Sequence, residues 1–210
     1  MTLQRTLSIF VFLISLALGA QKTVQKTWHD PNITDLVVDV PWASNVIFTG
    51  ADNFSGIQMK YRADGEYQNR TVLTSKVVGR TLYIAESPTP NTPDLNDKLS
   101  AHKFISTSIK LMFSSNISFN LKSNDAKVNG KGKMKNINLD LKNGYCELSN
   151  WDAPGSVTTE NATVNVISEK TAVSGESKNG IVVLPMSDNG LLPFLKIISL
   201  NGDITHQKKL

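Results

Sequence analysis

From residue 117 onward, apolar and polar positions alternate in short runs, and each run breaks at a polar corner. Five segments share the form strand, corner, strand: residues 119–128, 139–148, 157–166, 175–184 and 197–206. Their corners fall at Ser123, Asn143, Asn161, Asn179 and Asn201, at steps of 20, 18, 18 and 22 residues. Three residues beyond them stand Ala126, Cys146, Val164, Val182 and Ile204; five beyond stand Val128, Leu148, Val166, Leu184 and His206. Residues two apart share a face of a strand, so each unit is expected to turn two side chains inward, stacked in columns. Before the corner, Ile117, Phe119 and Leu121 are matched by Ile137, Leu139 and Leu141. Later units put Thr159 and Ser177 at the apolar place, while Ile198 and Leu200 read as a parity shift of one. A bulge or altered corner is therefore expected at 191–199.

Asn-Gly recurs at 143–144, 179–180 and 201–202. This pair tolerates positive φ at both positions, as a tight corner requires. A strand repeat of about 20 residues predicts an all-β chain with a β-solenoid, in the manner of a single-stranded β-helix. An antiparallel sandwich with hairpins at the same spacing remains the alternative. Upstream, short strands are predicted at 35–40, 45–49, 56–61, 71–78, 81–85 and 105–113, the first two flanking Pro41-Trp-Ala-Ser. Residues 21–34 read as an irregular or edge segment, and the Pro-rich stretch 87–98 as a loop. The expected organisation is an N-terminal β-strand region over 21–100 and solenoid coils over 101–210, in one continuous domain. No helix is expected beyond residue 20.

Residues 1–20 read as a secretory signal peptide: Arg5, an apolar run from Leu7 to Leu18, and Leu18-Gly-Ala20 before Gln21. The run is short for a membrane span, which needs about 20 residues; an uncleaved anchor is the other reading. Export to the periplasm, cell surface or medium is expected, with no transmembrane span in the mature chain. The formal charge of +4 falls to +3 without Arg5, an excess too small to point to nucleic acid. One cysteine cannot build an intramolecular disulfide framework, and Cys146 reads as a small buried hydrophobe.

Catalytic signals are sparse. Glycoside hydrolysis needs two carboxylates about 5–10 Å apart; Asp140, Glu147 and Glu160 are the candidates, against a solvated face with scattered charge. His29, His102 and His206 are isolated, and His206 reads as a capping residue on the inward column. No metal-ligand spacing and no Gly-rich phosphate loop is present, so neither metal nor cofactor is expected. For partner contact, Lys127, Lys131, Lys133 and Lys135 form a basic cluster suited to an anionic polymer such as an acidic glycan or lipopolysaccharide. The other reading is a solvated loop. Trp28, Trp42, Trp151 and Tyr145 are candidate sugar-stacking platforms, Trp151 foremost because it sits in the turn Asn150-Trp-Asp-Ala-Pro-Gly155, against the favoured reading of a turn tryptophan folded back over the coil edge. Asn-x-Ser/Thr sequons begin at Asn32, Asn53, Asn69, Asn116 and Asn161 and matter only in a glycosylating host.

Together the leader, the strands around Pro41-Trp-Ala-Ser, and coils such as Leu141-Lys-Asn-Gly-Tyr-Cys-Glu-Leu148 and Ser177-Lys-Asn-Gly-Ile-Val-Val-Leu184 resemble the bacterial adhesin-like families of unknown function. These include the auto-transporter-adhesin "head GIN" type. The resemblance spans most of residues 35–206. It implies a β-solenoid at or outside the inner membrane and an interaction or scaffolding role, with a glycan or envelope protein as partner. It brings no catalytic residues. A carbohydrate-active enzyme on the same scaffold is the alternative.

Overall fold

The structure is a computed structural model that describes residues 21–64, 71–89, 106–185 and 192–208. The expectations for residues 1–20, for Pro90–Lys98 and for a boundary near residue 100 lie outside these. The described residues form strands and turns, without helix. No helix among them is long and apolar enough to cross a membrane.

The first part of the chain forms β1 (Gln21–Trp28), β2 (Asp35–Asp39), β3 (Ala43–Ala51), β4 (Ile57–Asp64), β5 (Thr71–Val78), β6 (Thr81–Pro88) and β7 (Ser106–Ser114). Then follow β8 (Ser118–Ser123), β9 (Lys127–Lys133), β10 (Asn136–Leu141), β11 (Tyr145–Asp152), β12 (Gly155–Thr159) and β13 (Thr163–Ile167). The last are β14 (Ala172–Ser177), β15 (Val182–Val183), β16 (Phe194–Ser199) and β17 (Ile204–Gln207). They build two open, mixed sheets: nine strands ordered β1-β4-β7-β3-β9-β11-β13-β17-β15, and eight ordered β14-β16-β12-β10-β8-β2-β6-β5. One core fills the space between, from Leu36 and Phe48 to Leu195 and Ile204.

Six units, β2–β3, β8–β9, β10–β11, β12–β13, β14–β15 and β16–β17, each place the first strand in the eight-stranded sheet and the second in the nine-stranded one. From β8 onward every described pairing is parallel. The hairpin alternative therefore fails there, because each corner joins strands of opposite sheets. Antiparallel pairing is confined to the other end, at β1–β4, β4–β7 and β5–β6.

The inward columns hold where they are flanked on both sides. Cys146, Leu148, Val164 and Val166 are all fully buried. The register corrects the first unit by two residues: Val128, not Ala126, lies beside Cys146, and Gly130 beside Leu148. A Cβ on Gly130 would lie 2.4 Å from Phe48 Cζ, so the glycine makes room for that ring. The first corner is accordingly Asp125, 18 residues before Asn143. In β15, Val182 and Val183 stay exposed because that unit ends the stack.

The parity shift expected at 191–199 is also corrected. Leu195, Ile197 and Ser199 are buried and lie beside Gly155, Val157 and Thr159, so the alternation is kept. Ile198 and Leu200 simply point out and are exposed. The polar residues in the column have a local purpose. Thr159, Ser177 and Ser199 each accept, at their hydroxyl oxygen, the backbone N–H of Ala162, Gly180 and Gly202, at 2.7, 2.9 and 2.7 Å. Each hydroxyl thus satisfies a corner N–H that the sheets leave unpaired. Outside, the corner amides form a ladder: Asn143 donates to Asp125 and Asn161 to Asn143, both at 2.7 Å, and Asn201 to Asn161 and Asn179 to Asn201, both at 2.6 Å.

Candidate functional site

The outer face of the nine-stranded sheet gathers cations from strands distant in sequence. Its registers give rows across the face. Lys60 lies opposite Lys110, which neighbours Ile47, then Asn129, then Glu147. An adjacent row runs Arg62, Ser108, Asn45, Lys127, Tyr145, and another runs Gln58, Met112, Thr49, Lys131, Ser149. Lys60, Arg62, Lys110, Lys127 and Lys131 are all exposed. β9 lies two strands from β7, roughly 10 Å away, so these charges share one field. Like charges directly opposed across antiparallel strands lower stability, and Lys60–Lys110 is such a pair. A shallow groove of about 210 Å³ lies over it, lined also by Gln25, Gln58 and Met112. The face holds few acids: Asp64 is paired with Arg62 at 2.9 Å, and Glu147 accepts the Tyr145 hydroxyl at 3.2 Å. Burial, foremost, raises the Tyr145 pKa, so that phenol stays a donor.

The structure splits the sequence-predicted cluster. Residues 127–133 form strand β9 rather than a loop, with Lys127 and Lys131 on the basic face. Lys133 stands at the strand end, its Nζ 3.6 Å from Asp52 Oδ1, and Lys135 is exposed before β10. Trp151 is corrected outright. It is fully buried, donates its indole N–H to Ala153 O at 3.0 Å, and meets Phe48 edge-on at 6.1 Å between ring centres. It serves the core and offers no stacking face. The exposed tryptophan is Trp42, at 46%. Its backbone is pinned at both ends, with N–H to Glu86 Oε2 at 3.1 Å and C=O from Thr107 Oγ1 at 2.9 Å. Lys60 and Lys110 had no signal in the sequence, because only strand register makes them neighbours.

A second concavity, of about 530 Å³, opens beside a bulge in β11, where Asn150 adopts φ 47°. Lys133, Asp52, Asp152, Glu169 and Lys170 line it. Ser115 donates to Asp52 Oδ1 at 2.6 Å, and this bond, aided by Lys133, holds the carboxyl below its ordinary range. Charges of both signs meet there, with Lys133 Nζ 3.6 Å from Asp52 Oδ1.

The carboxylates considered for catalysis do not converge. Asp140 lies on β10 in the eight-stranded sheet, Glu147 on β11 in the nine-stranded sheet, and Glu160 at a corner. Asp140 and Glu147, on opposite sheets, do not flank one bond. His206 is buried with Nε2 3.2 Å from Ser168 O. Among the described residues no group of three or more His, Cys, Asp or Glu is arranged to hold a metal.

One carboxyl is buried at the antiparallel end. Glu86 Oε1 has no hydrogen-bond partner. Around it, Thr107 donates to Trp42 O, and Tyr61 meets Thr71 at 3.3 Å. Burial pushes the Glu86 pKa up, and likewise moves Tyr61 to about 12.

No protein-family model matches the chain, and no curated protein matches it. Solved structures do. A candidate cell adhesion protein from Clostridium sporogenes superimposes with a TM-score of 0.65 at 11% identity, over 90% of this chain and 100% of its own. A candidate adhesin from Parabacteroides merdae gives a TM-score of 0.35 at 10% identity, over 90% and 97% of the two chains. A candidate lipid-binding protein from Parabacteroides distasonis gives 0.33 at 13% identity, over the same shares. The first likeness shows a shared fold: an all-β protein of two open, mixed sheets.

Proposed function

We propose that this is an exported, non-enzymatic, adhesin-like binding protein of the bacterial envelope. Its six stacked units are read as a β-solenoid, and the basic outer face holds an anionic polymer such as an acidic glycan. The carrying observation is the uncompensated cation field, with Lys60 opposite Lys110 under a shallow groove and Lys127 and Lys131 two strands away. A sheet that keeps like charges opposed forgoes stability, and an anionic ligand removes that cost. The flat repeated surface suits a long ligand, and the cell-adhesion name of the Clostridium sporogenes neighbour agrees with such a role.

The test is binding of a polyuronate such as alginate by the protein and by a Lys60→Ser/Lys110→Ser/Lys127→Ser/Lys131→Ser variant. The parent should bind at low salt and weaken as salt screens the face. The variant should lose at least about tenfold, or about 1.4 kcal/mol, with a flatter salt dependence. Equal binding by both would refute the reading. Turnover of a polysaccharide, lost on Asp140→Asn or Glu147→Gln, would replace it with the enzyme.

A further inference from the structure

Chain order and spatial order disagree at the end of the stack. The β16–β17 unit follows β14–β15 in sequence, yet lies between it and β12–β13 in both sheets. Among the described strands, β14 pairs with β16 alone and β15 with β17 alone. Residues 194–207 are therefore the sole strand bridge holding the last unit to the stack. Their inward Leu195, Ile197 and Ile204 are fully buried. Asn201 bonds a corner amide on each side. Gly175 admits Ile204 closely, since a Cβ there would lie 3.0 Å from Ile204 Cγ2.

Removing β16–β17 would leave a slot bordered by β12 and β13 on one side and β14 and β15 on the other. Val157, Val164 and Val166 would form its apolar floor. Unpaired strand edges beside an apolar slot are a template for added strands. The segment whose register, inward side chains and corner amide fit this slot is residues 194–207, whether from the same chain or from another copy. The connection is suited to either. Units consecutive in the chain are joined by residues 134–135, 153–154 and 168–171, whereas β15 and β16 are joined by the ten residues 184–193. Ten extended residues reach at most roughly 35 Å, or several strand spacings.

We infer that β16–β17 is an exchangeable element through which copies of this chain associate. One copy's residues 194–207 fill the slot of another. Reciprocal exchange gives a closed dimer, and one-way exchange gives open chains. The inference rests on strand order and link length and is independent of the polyanion reading.

Asn165 and Thr205 are adjacent in β13 and β17, with Thr205 Oγ1 2.8 Å from Asn165 Oδ1. In a Cys146→Ala background, full-length Asn165→Cys and Thr205→Cys chains are mixed, unfolded, refolded together and oxidised. Exchange gives an interchain disulfide whose ratio to monomer rises about tenfold for a tenfold rise in concentration, as mass action requires. The double variant on one chain should link within itself at low concentration. No interchain product above background at the highest soluble concentration, with the double variant linking internally, overturns the inference. So does an equal yield when Asp140→Cys, on the opposite sheet, replaces Thr205→Cys. Failure of the internal link would overturn the strand order beneath it.

Discussion

The two ends of this molecule use the same sheets in different ways. At the parallel end each unit repeats the last: two inward residues, a corner amide, and from β12 onward a hydroxyl that closes the corner. At the antiparallel end nothing repeats. There β1, β4 and β5 are added by antiparallel pairing, Lys26 reaches across to Ser75 at 2.9 Å, and the core takes in Glu86. The parallel end is regular and mostly satisfied. The antiparallel end carries the opposed lysines, a buried carboxyl with one oxygen unpartnered, and the exposed Trp42. Unmatched chemistry collects where the pattern is not periodic, although the core there is filled by large side chains such as Tyr61, Met59 and Phe113.

The contrast can be broken at several levels. The largest effect is expected from Val166→Asp, which places an unpaired charge in a fully buried column and should cost more than about 4 kcal/mol. Loss of cooperative thermal unfolding would show it. A melt within a degree or two of the parent would mean that the column is misplaced. Next comes Trp151→Ala. Its ring touches Phe48, which packs on Phe119 at 4.7 Å between ring centres, joining the two ends through one aromatic cluster. A loss of about 3–5 kcal/mol is expected, seen by denaturant titration as one transition. Two transitions would separate the ends.

Asn161→Ala removes two ladder bonds on an exposed edge and should cost about 1 kcal/mol. Asn32→Ala, whose amide meets only its near neighbour Asp30, should stay within about 0.5 kcal/mol. Equal losses would deny the ladder a role.

The pH dependence distinguishes the ends further. Burial raises the Glu86 pKa in the folded state above its ordinary value of 4.5, so the folded chain holds that proton more tightly than the unfolded one. The resulting stability is complete below that ordinary value and is lost as pH rises through the folded value. Glu86→Gln should match the parent in acid and exceed it in melting temperature at pH 8. A constant difference at both pH values would exclude Glu86 as the source. The smallest effect concerns Cys146. Burial pushes its thiol to about 12, so native labelling by a maleimide should be slow and denatured labelling fast.

Much of the parallel end was legible because two-residue alternation and a fixed corner are local signals. Val164, Val166, Cys146 and the strands from 35–40 to 105–113 could be placed by alternation alone. The first corner was placed at Ser123 rather than Asp125 because Gly130 breaks the apolar column, and its missing side chain is explained only by Phe48, 82 residues away. The apparent parity shift at Ile198 arose because outward apolar residues carry the same local signal as inward ones. The order of the last two units is set by packing between distant segments, which a linear pattern does not encode. Of the basic face, Lys127 and Lys131 were legible as a cluster. Lys60 and Lys110 were not, since their sequence neighbours say nothing about register.

The corner ladder also has a direction. Asp125 has no amide hydrogen to give, so Asn143 must turn its nitrogen toward it and its carbonyl toward Asn161. Each amide then orients the next, through Asn201 to Asn179. One carboxylate thereby sets the sense of four side chains, as the first tile sets a line of dominoes. The amide dipoles align and reinforce one another, with their positive ends toward Asp125. At the far end Asn179 turns its carbonyl outward. Any further layer added there would have to greet it with a donor, which makes the growing end of the row chemically different from the end where it begins.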